Sequence, residues 1–267
     1  MIYEKQEGVP RFKCIEYFEK KKDYVVLIPI LNESDRIHKE LYRAKKNGVS
    51  KYADIVICDG GSVDGCTDEK KLKKLDVNAL LIKNDMGKQS AQLRMGIWWA
   101  LRRGYKGVIT IDGNNKDSIE DIPCFINKLK EGYDYVQGSR FIKGGHAINT
   151  PVIRLLAVSL IHSKMISLTA HFKFTDTTNA YRAYSSQYLS DERVQPLRDV
   201  FDTYELLAYL SVRATQIGMR ACEIPVTRAY PPHGKIPTKI SFIKGNLSLF
   251  LILIKNAFGL YNPKDKA

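Results

Sequence analysis

The stretch of sequence that decides the fold is VITIDGNNKD, residues 108–117. Its first four residues are apolar or β-branched, and so short a run before an acidic turn is typical of a buried β-strand. The oxygen-bearing side chains of that turn are Asp112, Asn114, Asn115 and Asp117. In open α/β sheets, ligands bind beyond the carboxyl ends of the strands. Oxygen ligands in this place suit Mg²⁺ or Mn²⁺ bridging phosphates, whereas an Asn/Asp turn without a ligand is the alternative.

The composition describes a folded, strongly basic chain. Of its 267 residues, 44% are hydrophobic and 27% are charged, which is ordinary for a protein with a full core. The formal net charge of +13 predicts an anionic partner, which could be nucleic acid, an anionic lipid surface or a phosphorylated substrate. Because no groove-reading motif accompanies the charge, we expect no nucleic-acid partner.

Cysteine usage and hydropathy predict a cytoplasmic protein. The five cysteines are odd in number and no two have metal-binding spacing, which indicates a reducing compartment. The N-terminal MIYEKQEG lacks the apolar core of a signal peptide. No apolar run approaches the ~18 residues that a membrane span needs. We therefore expect any membrane contact to be peripheral, on the inner face.

Strands and helices are predicted to alternate through residue 137. The predicted strands are residues 24–30, 54–59, 78–83, 108–111 and 133–137, and the predicted helices are residues 35–47, 66–75, 87–103 and 119–132. This alternation is typical of an α/β, Rossmann-like fold with a mostly parallel sheet and flanking helices. Residues 1–22 are predicted to be an N-terminal extension with a short helix near residues 15–21.

The C-terminal half is predicted to add basic amphipathic helices. Residues 151–170 and 240–260 combine an apolar face with basic residues, and we expect both to contact an anionic membrane. The alternative is that both faces close the core. The other predicted elements are an extended segment at 174–184, a helix at 200–217 and a strand at 220–226. The predicted domains are a catalytic domain over residues 23–240 and an apolar, basic helix over residues 241–267.

Polar side chains follow three of the predicted strands, at their carboxyl ends. They are Asn32 and Glu33 after the first strand, Asp59, Ser62 and Asp64 after the second, and Asp112 and Asn114 after the fourth. Because the ends of parallel strands meet at one edge of a sheet, these groups can converge on one ligand. Lys88 lies at the start of a predicted helix, where the helix dipole favours a phosphate. The ligand implied is a nucleoside diphosphate held by a metal ion.

Several of these motifs resemble the family 2 glycosyltransferases of the GT-A fold. They are Pro29-x-Leu31-Asn32-Glu33, Asp59-Gly60-Gly61-Ser62-Val63-Asp64-Gly65, Gly87-Lys88 and Ile111-Asp112-Gly113-Asn114. Three later motifs resemble more narrowly the polyprenyl-phosphate (dolichyl-phosphate) mannose and glucose synthases: Gly138-Ser139-Arg140-Phe141, Asp176-Thr177-Thr178-Asn179-Ala180-Tyr181-Arg182 and Glu223-Ile224-Pro225-Val226. The match covers roughly residues 24–240, and motifs in this order are specific.

The resemblance implies a nucleotide-sugar donor, inversion at the anomeric carbon and a divalent metal, Mg²⁺ or Mn²⁺. By position, Asp59 would bind the nucleoside, and Asp112 and Asn114 would bind the metal and the diphosphate. The other residues implied in substrate binding are Pro29, Asn32, Glu33, Ser62, Asp64, Lys88, Gly113, Arg228, Lys235 and Lys239. The residues implied in catalysis are Asp176, Arg140 and Arg182, of which the arginines would contact phosphate. The chain departs from the family in having Asn114 in place of a second metal aspartate.

The nucleophile decides what else the site needs. A polyprenyl phosphate is already largely ionised at neutral pH, so it needs positioning cations and no general base. A sugar hydroxyl of a surface polysaccharide would need a base, for which Asp176 and Glu205 are the candidates. We expect the lipid phosphate, because basic apolar helices would reach a lipid acceptor. A glycan acceptor and a homo-oligomer stay open.

Structural interpretations of the same residues also stay open. Arg140 could pair with a nearby carboxylate, and Asp176 could pair with Arg182. A sugar-phosphate nucleotidyltransferase shares the fold class but should carry a Gly-rich loop with arginine after the first strand, where this chain has residues 29–34.

Overall fold

A computed structural model of the protein describes residues 1–6, 8–151, 161–232 and 242–264. The strands are β1 (Ile2–Tyr3), β2 (Phe12–Glu16), β3 (Tyr24–Ile30), β4 (Asp54–Asp59), β5 (Val77–Lys83), β6 (Gly107–Thr110), β7 (Tyr135–Ser139), β8 (His146–Ile148), β9 (Arg182–Ser185), β10 (Ala221–Pro225) and β11 (Thr227–Ala229). The helices are α1 (Asp35–Lys46), α2 (Glu69–Lys74), α3 (Gln89–Arg102), α4 (Ile122–Lys130), α5 (Ser163–Ala170), α6 (Ser186–Ser190), α7 (Glu205–Gln216) and α8 (Phe242–Ala257). Single 3₁₀ turns occur at Val49–Lys51 and Ile119–Asp121.

A central sheet organises the described residues, and its strand order is β1-β2-β5-β4-β3-β6-β9-β7-β10. Strands β5, β4, β3 and β6 are parallel, as are β7 and β10, whereas the other four pairings of this sheet are antiparallel. The predicted α/β fold with flanking helices is confirmed, but the sheet is mixed rather than mostly parallel. Strand β9 runs antiparallel between β6 and β7, so the predicted extended segment 174–184 forms a strand only from Arg182. A separate parallel pair, β8 and β11, lies outside this sheet.

The pleat of β3 divides the core between the two faces of the sheet. Val25 and Leu27 pack with α3 and α7, whereas Val26 and Ile28 pack with α1 and α4. This alternation follows from the two-residue period of a strand. Helix α3 approaches the sheet closely at Gly96, where a Cβ atom would lie 2.7 Å from a sulfur atom on β4. The sheet is therefore buried on both sides, as a parallel sheet requires.

The N-terminal segment is part of the central sheet. Strand β2 pairs antiparallel with β5, so the short helix predicted near residues 15–21 is wrong. Phe12 is fully buried, stacks on Tyr3 at a centroid distance of 4.8 Å and meets Trp98 edge-on. These contacts stabilise a strand that local propensity alone did not specify. A domain boundary at residue 22 stays a prediction, although β2 shares its sheet with the strands that follow.

The C-terminal helices pack on one another. Helix α8 contacts α5 and α7, with Ile252 and Leu253 buried against them and the Asn256 side chain donating to the Ala208 carbonyl at 3.0 Å. Helix α7 begins at Glu205, five residues later than predicted, and residues 152–160 of the predicted helix 151–170 lie outside the described residues. Among the described helices, none has the length and apolarity to cross a membrane.

We expect Phe12→Ala to lower the free energy of unfolding by about 3–5 kcal/mol, because it removes a fully buried ring from β2, which lies between β1 and β5 in the sheet. Urea unfolding measures the change. The matched control is Phe258→Ala: that ring is 77% exposed, so the variant should stay within about 0.5 kcal/mol of the native protein. Equal effects of the two substitutions would contradict the structural role of β2.

Candidate active site

The loops after β3 and β4 meet at the carboxyl edge of the sheet, as predicted. The backbone N–H of Asn32 donates to the Ser62 hydroxyl at 2.8 Å, and the Asn32 side-chain oxygen accepts from the N–H of Val63 at 2.9 Å. Asn32 and Ser34 both have positive φ angles, near 50°, in this tight loop. The two loops are thus one bonded unit, and their polar groups face the same edge.

Asp64 ties these loops together through its carboxylate. It accepts hydrogen bonds from the N–H and hydroxyl of Ser34 at 2.7 and 3.0 Å, and from the N–H of Cys66 at 3.2 Å. Partial burial raises the pKa of this carboxyl, but the hydrogen bonds from Cys66 and Ser34 outweigh it and lower the pKa to about 2. Asp64 is therefore a fixed anion that shapes the loop, and direct contact with a substrate stays a prediction.

Asp59 ends β4 and is almost fully buried. Its carboxylate accepts from the N–H groups of Gly61 and Ser62 at 3.0 Å and from the Ser62 hydroxyl at 2.5 Å. Hydrogen bonds of this kind stabilise the turn that follows β4. These donors occupy part of the hydrogen-bonding capacity of the carboxylate, and a nucleoside would have to donate to the lone pairs that remain. Nucleoside binding at Asp59 therefore stays a prediction.

Pro29, Gly113 and Glu33 have packing or pairing contacts at the positions where substrate binding was predicted. Pro29 is buried inside β3, opposite Cys58 of β4. A Cβ atom at Gly113 would lie 2.5 Å from a methyl group of Ile30, so glycine is required for the turn to approach β3. The Glu33 carboxylate accepts from the Arg36 guanidinium at 2.9 Å. All three shape the edge, and contact with a ligand stays a prediction.

The acidic turn after β6 presents Asp112 at this edge. One oxygen of Asp112 accepts from the side chain of Gln89 at 3.0 Å, and the other accepts from Arg228 at 3.1 Å and from Asn114 at 3.4 Å. The Asp112 side chain keeps 23% of its surface exposed. Gln89 is the first residue of α3 and follows exposed Lys88, so the start of α3 lies beside the acidic turn, and phosphate binding by Lys88 stays a prediction.

The donor atoms of this turn fit a divalent cation. The Asn114 amide oxygen is buried and has no hydrogen-bond partner, although its own NH₂ group contacts the Asp112 carboxylate. A carboxylate beside an unpaired amide oxygen is a hard-oxygen pair of the type that Mg²⁺ and Mn²⁺ bind. In the described part of the chain, no group of three or more His, Cys, Asp or Glu residues could hold a metal by itself. The remaining ligands would have to come from a substrate.

Two further carboxylates lie behind this turn. Asp117 and Glu40 are fully buried, and each has one oxygen without a hydrogen-bond partner. Burial raises the pKa of Asp117 to about 6 even though Arg228 opposes the shift, and burial raises the pKa of Glu40 well above its usual range. The Glu40 carboxylate accepts from the N–H of Asn115 at 2.6 Å. Glu40 was not predicted from the sequence, although a carboxylate on the apolar face of α1, beside Leu41, was a signal of its burial.

Arg140 and Asp176 form a buried, bidentate ion pair. The Arg140 Nε and Nη2 atoms donate to the two Asp176 oxygens at 2.6 and 2.8 Å, and the Arg140 backbone N–H adds a third contact. Arg140 also donates to the Thr178 hydroxyl at 2.9 Å. Because this geometry is among the strongest pairings of charged groups, the pair fixes the two loops relative to each other.

Arg182 lies in a different environment from the one predicted. It is fully buried and donates to the carbonyl oxygens of Asn179 and Thr177 at 2.9 and 2.7 Å, to the Leu207 carbonyl, and to the Ser211 hydroxyl at 2.9 Å. These contacts face the core and hold the loop, and a phosphate contact of Arg182 stays a prediction. Asp176 forms its ion pair with Arg140 and not with Arg182.

The remaining predicted residues differ in their surroundings. Glu205, a candidate base, accepts from the N–H and hydroxyl of Thr203 at 2.6 Å each, which ties the first residue of α7 to the segment before it. Lys235 and Lys239 lie outside the described residues. Arg228 is buried at the acidic turn, in contact with Asp112 and Asp117.

An open groove lies beside Arg140, formed by α5 and the segment that follows it. Its volume is about 640 Å³ and its lining is mainly apolar. The lining includes three aromatic rings, one leucine and two lysines: Phe141, Phe172, Phe174, Leu168, Lys164 and Lys173. The Phe141 ring centre lies 5.1 Å from the Arg140 guanidinium, so the apolar groove reaches a buried cation.

Comparison with known proteins identifies the fold and the enzyme class. The chain is 26% identical over 209 residues to the polyprenol monophosphomannose synthase of Mycolicibacterium smegmatis, covering 76% of each chain. It is 27% identical over 212 residues to the undecaprenyl-phosphate mannosyltransferase of Micrococcus luteus, covering 76% of this chain and 82% of that protein. The structure matches the glucosyl-3-phosphoglycerate synthase of Mycobacterium tuberculosis, crystallised with Mn²⁺, UDP and phosphoglyceric acid, with a TM-score of 0.61 at 13% identity over 91% of this chain and 80% of that one. No protein-family model matches the chain.

The chain is a glycosyltransferase of the GT-A fold. The resemblance to family 2 polyprenyl-phosphate sugar synthases that the motifs predicted is confirmed by these relatives. In this glycosyltransferase, the edge formed by the loops after β3, β4 and β6 carries the predicted donor-binding residues, and the Arg140 pair lies beside the groove.

We expect acid to remove the contribution of Asp64 to stability. Its pKa is lowered on folding, so the stabilisation is present above the unfolded pKa of about 4 and is lost as the pH falls towards 2. Native protein and Asp64→Asn should therefore differ in unfolding free energy at pH 5, by no more than about 1 kcal/mol for so exposed a group, and converge near pH 2.

Urea unfolding at several pH values measures this difference. Asp35→Asn is a suitable control, because that side chain is 83% exposed at the start of α1. A gap between native protein and Asp64→Asn that stayed constant down to pH 2 would contradict the assigned hydrogen bonds.

Proposed function

We propose that this glycosyltransferase moves a sugar, with inversion, from a nucleoside diphosphate sugar to a polyprenyl phosphate, and that it requires Mg²⁺ or Mn²⁺. The choice of acceptor rests on the hydrogen bonds of the two candidate bases, Asp176 and Glu205. Both oxygens of Asp176 are held by Arg140, and both oxygens of Glu205 are held by Thr203. Neither carboxylate is placed to deprotonate a hydroxyl, whereas a phosphate acceptor needs no base.

The donor end of the site rests on the acidic turn. Asp112 and the unpaired oxygen of Asn114 would hold a cation whose other ligands are diphosphate oxygens. When bound, the cation would stabilise the negative charge that grows on the departing nucleoside diphosphate. The guanidinium of Arg228, which contacts Asp112, and exposed Lys88, which precedes Gln89, are protein cations that could add to that effect. Relatives named for undecaprenyl- and polyprenol-phosphate mannose transfer support the reaction.

The acceptor end rests on the groove beside Arg140. Its apolar rings suit an isoprenoid chain, and Lys164 and Lys173 on its wall suit an anionic head group. The Arg140 guanidinium is fixed by Asp176, so it would meet a phosphate without first being ordered. An aligned cation of this kind lowers the entropic cost of placing the nucleophile.

The C-terminal helix supports action at a membrane, on its cytoplasmic face. Large apolar side chains are exposed on and after α8: Leu247, Phe250, Leu251, Phe258 and Leu260. On neighbouring α5, Leu168 is 77% exposed and lies at the groove. An apolar patch in a chain of net charge +13 fits an anionic lipid surface. A lipid acceptor held in such a surface would then enter the groove from the membrane side.

We expect sugar transfer from one member of a panel of UDP- and GDP-sugars to a short-chain polyprenyl phosphate, in the presence of Mn²⁺. Asp112→Asn should lower the rate at least about 10²-fold, because it removes the charged ligand of the cation. The matched control is Asp23→Asn, whose 53%-exposed carboxylate lies before β3, at the opposite end of the sheet. Product analysis by mass spectrometry measures the transfer.

Two outcomes would overturn this proposal. One is full activity in the presence of a chelator, which would remove the metal requirement. The other is transfer to a saccharide hydroxyl but not to polyprenyl phosphate, which would favour the surface-polysaccharide alternative.

We expect Leu251→Ser/Phe258→Ser to weaken binding to phosphatidylglycerol vesicles at least about tenfold. Serine cannot supply the free energy that is gained when the exposed leucine or phenylalanine is buried in the membrane. Vesicle flotation measures the partition coefficient. Tyr42→Ser/Tyr52→Ser is the control, because both rings are exposed on α1 and on the turn after it. Equal losses for the two double variants would exclude a membrane face at α8.

A further inference from the structure

Arg228 is shared between two carboxylates of the acidic turn. Its Nη2 atom donates to Asp112 at 3.1 Å, and its Nη1 atom donates to one oxygen of Asp117. Asp117 is fully buried, and its second oxygen has no hydrogen-bond partner. A buried carboxylate oxygen without a hydrogen-bond donor is energetically unfavourable, and such atoms are rare in native structures.

The backbone holds Arg228 at this place. The N–H of Thr227 donates to the Ser118 hydroxyl at 3.0 Å, and the N–H of Ser118 donates to the Thr227 carbonyl at 3.0 Å. The N–H of Ala229 donates to the Lys116 carbonyl at 2.8 Å. Because β11 is fastened to the acidic turn on both sides of Arg228, only the side chain of Arg228 is free to change its partners.

A cation bound at Asp112 would favour such a change. A divalent ion at the Asp112 oxygen that Arg228 contacts would compete with the guanidinium for it, because the two positive charges repel at contact distance. Asp117 is more deeply buried than Asp112, and one of its oxygens has no hydrogen-bond partner. The second oxygen of Asp112, by contrast, already accepts from Gln89. The guanidinium can therefore exchange its bond to Asp112 for a second bond to Asp117.

We propose that Asp117 is a positioning residue, which retains Arg228 as a bidentate partner when the cation occupies Asp112 and so directs its remaining N–H groups at the donor diphosphate. This inference rests on the proposed function. It accounts for the unpaired Asp117 oxygen, because that atom receives its donor only in the loaded site. It also gives Arg228 two successive roles, first as the counter-charge of Asp112 and then as a diphosphate ligand.

The test measures binding by the full-length chain. The dissociation constant of Mn²⁺ alone is measured by electron paramagnetic resonance, and those of UDP and GDP with Mn²⁺ by calorimetry. In Asp117→Asn, Arg228 keeps only Asp112 as a charged partner and competes with the cation, so Mn²⁺ and the nucleotide should both bind about tenfold more weakly. Arg228→Gln should weaken the nucleotide by a similar factor without weakening Mn²⁺.

The double variant Asp117→Asn/Arg228→Gln separates positioning from a general structural effect. If Asp117 acts through Arg228, the double variant should bind nucleotide as Arg228→Gln does, with no further loss. If Arg228→Gln does not fold, Arg228→Lys and its double variant with Asp117→Asn replace it. The control is Asp54→Asn, whose buried carboxylate bonds Tyr105 at 2.9 Å far from this turn; it should lower thermal stability and leave both constants unchanged.

Native affinities in Asp117→Asn, or losses that add in the double variant, would overturn the inference. Native protein that binds neither UDP nor GDP with Mn²⁺ would instead overturn the proposed function itself.

Discussion

The parallel pairing of β3 with β4 and with β6 is the constraint on which the rest of the structure depends. It brings the carboxyl ends of three strands to one edge of the sheet, although the loops that follow them are separated by about 30 and 80 residues in the chain. The loops are then joined by side chains: Asn32 bonds the loop after β4, and Gln92 of α3 donates to the carbonyl oxygens of Ile30 and Cys58 at 2.6 and 2.8 Å. The edge is thus rigid before any ligand arrives, which lowers the cost of binding one.

The carboxylates near this edge are paired with arginine side chains or backbone donors of the protein itself. Asp176 has Arg140, Asp112 and Asp117 have Arg228, and the loop carboxylate Asp64 has backbone donors. A buried charge without a partner would be costly, so the pairs of Asp176, Asp112 and Asp117 offset the cost of burying those carboxylates, whatever else they do. As a chemical consequence of these pairs, the arginine cations of the site are fixed in position and its carboxylates are already hydrogen-bonded. Such an environment suits a substrate that brings its own negative charge, and it suits poorly a substrate that must first lose a proton.

The groove and the C-terminal helices lie beside this site, where we propose that a lipid acceptor binds. Helix α5 contributes the groove wall and packs on α8, whose outer side leaves Phe250 and Leu251 exposed. The same helical layer therefore buries one side in the core and presents the other outward. The two interpretations of these helices that the sequence allowed, closing the core or facing a membrane, are compatible, because each helix has two sides.

The sequence by itself determined the local elements and the residues at the strand ends. The strands Tyr24–Ile30 and Asp54–Asp59 have the predicted bounds, because hydrophobic runs and turn residues are local signals. The motifs were specific enough to predict the GT-A fold and the glycosyltransferase family resemblance, both of which are confirmed. Only the tertiary structure decided that residues 12–16 join the sheet, that Arg182 is buried, and that Arg140 pairs with Asp176 and Arg228 with Asp117. The last two pairs join residues 36 and 111 positions apart, and a charged residue chooses such a partner only after the sheet has brought both to the same place.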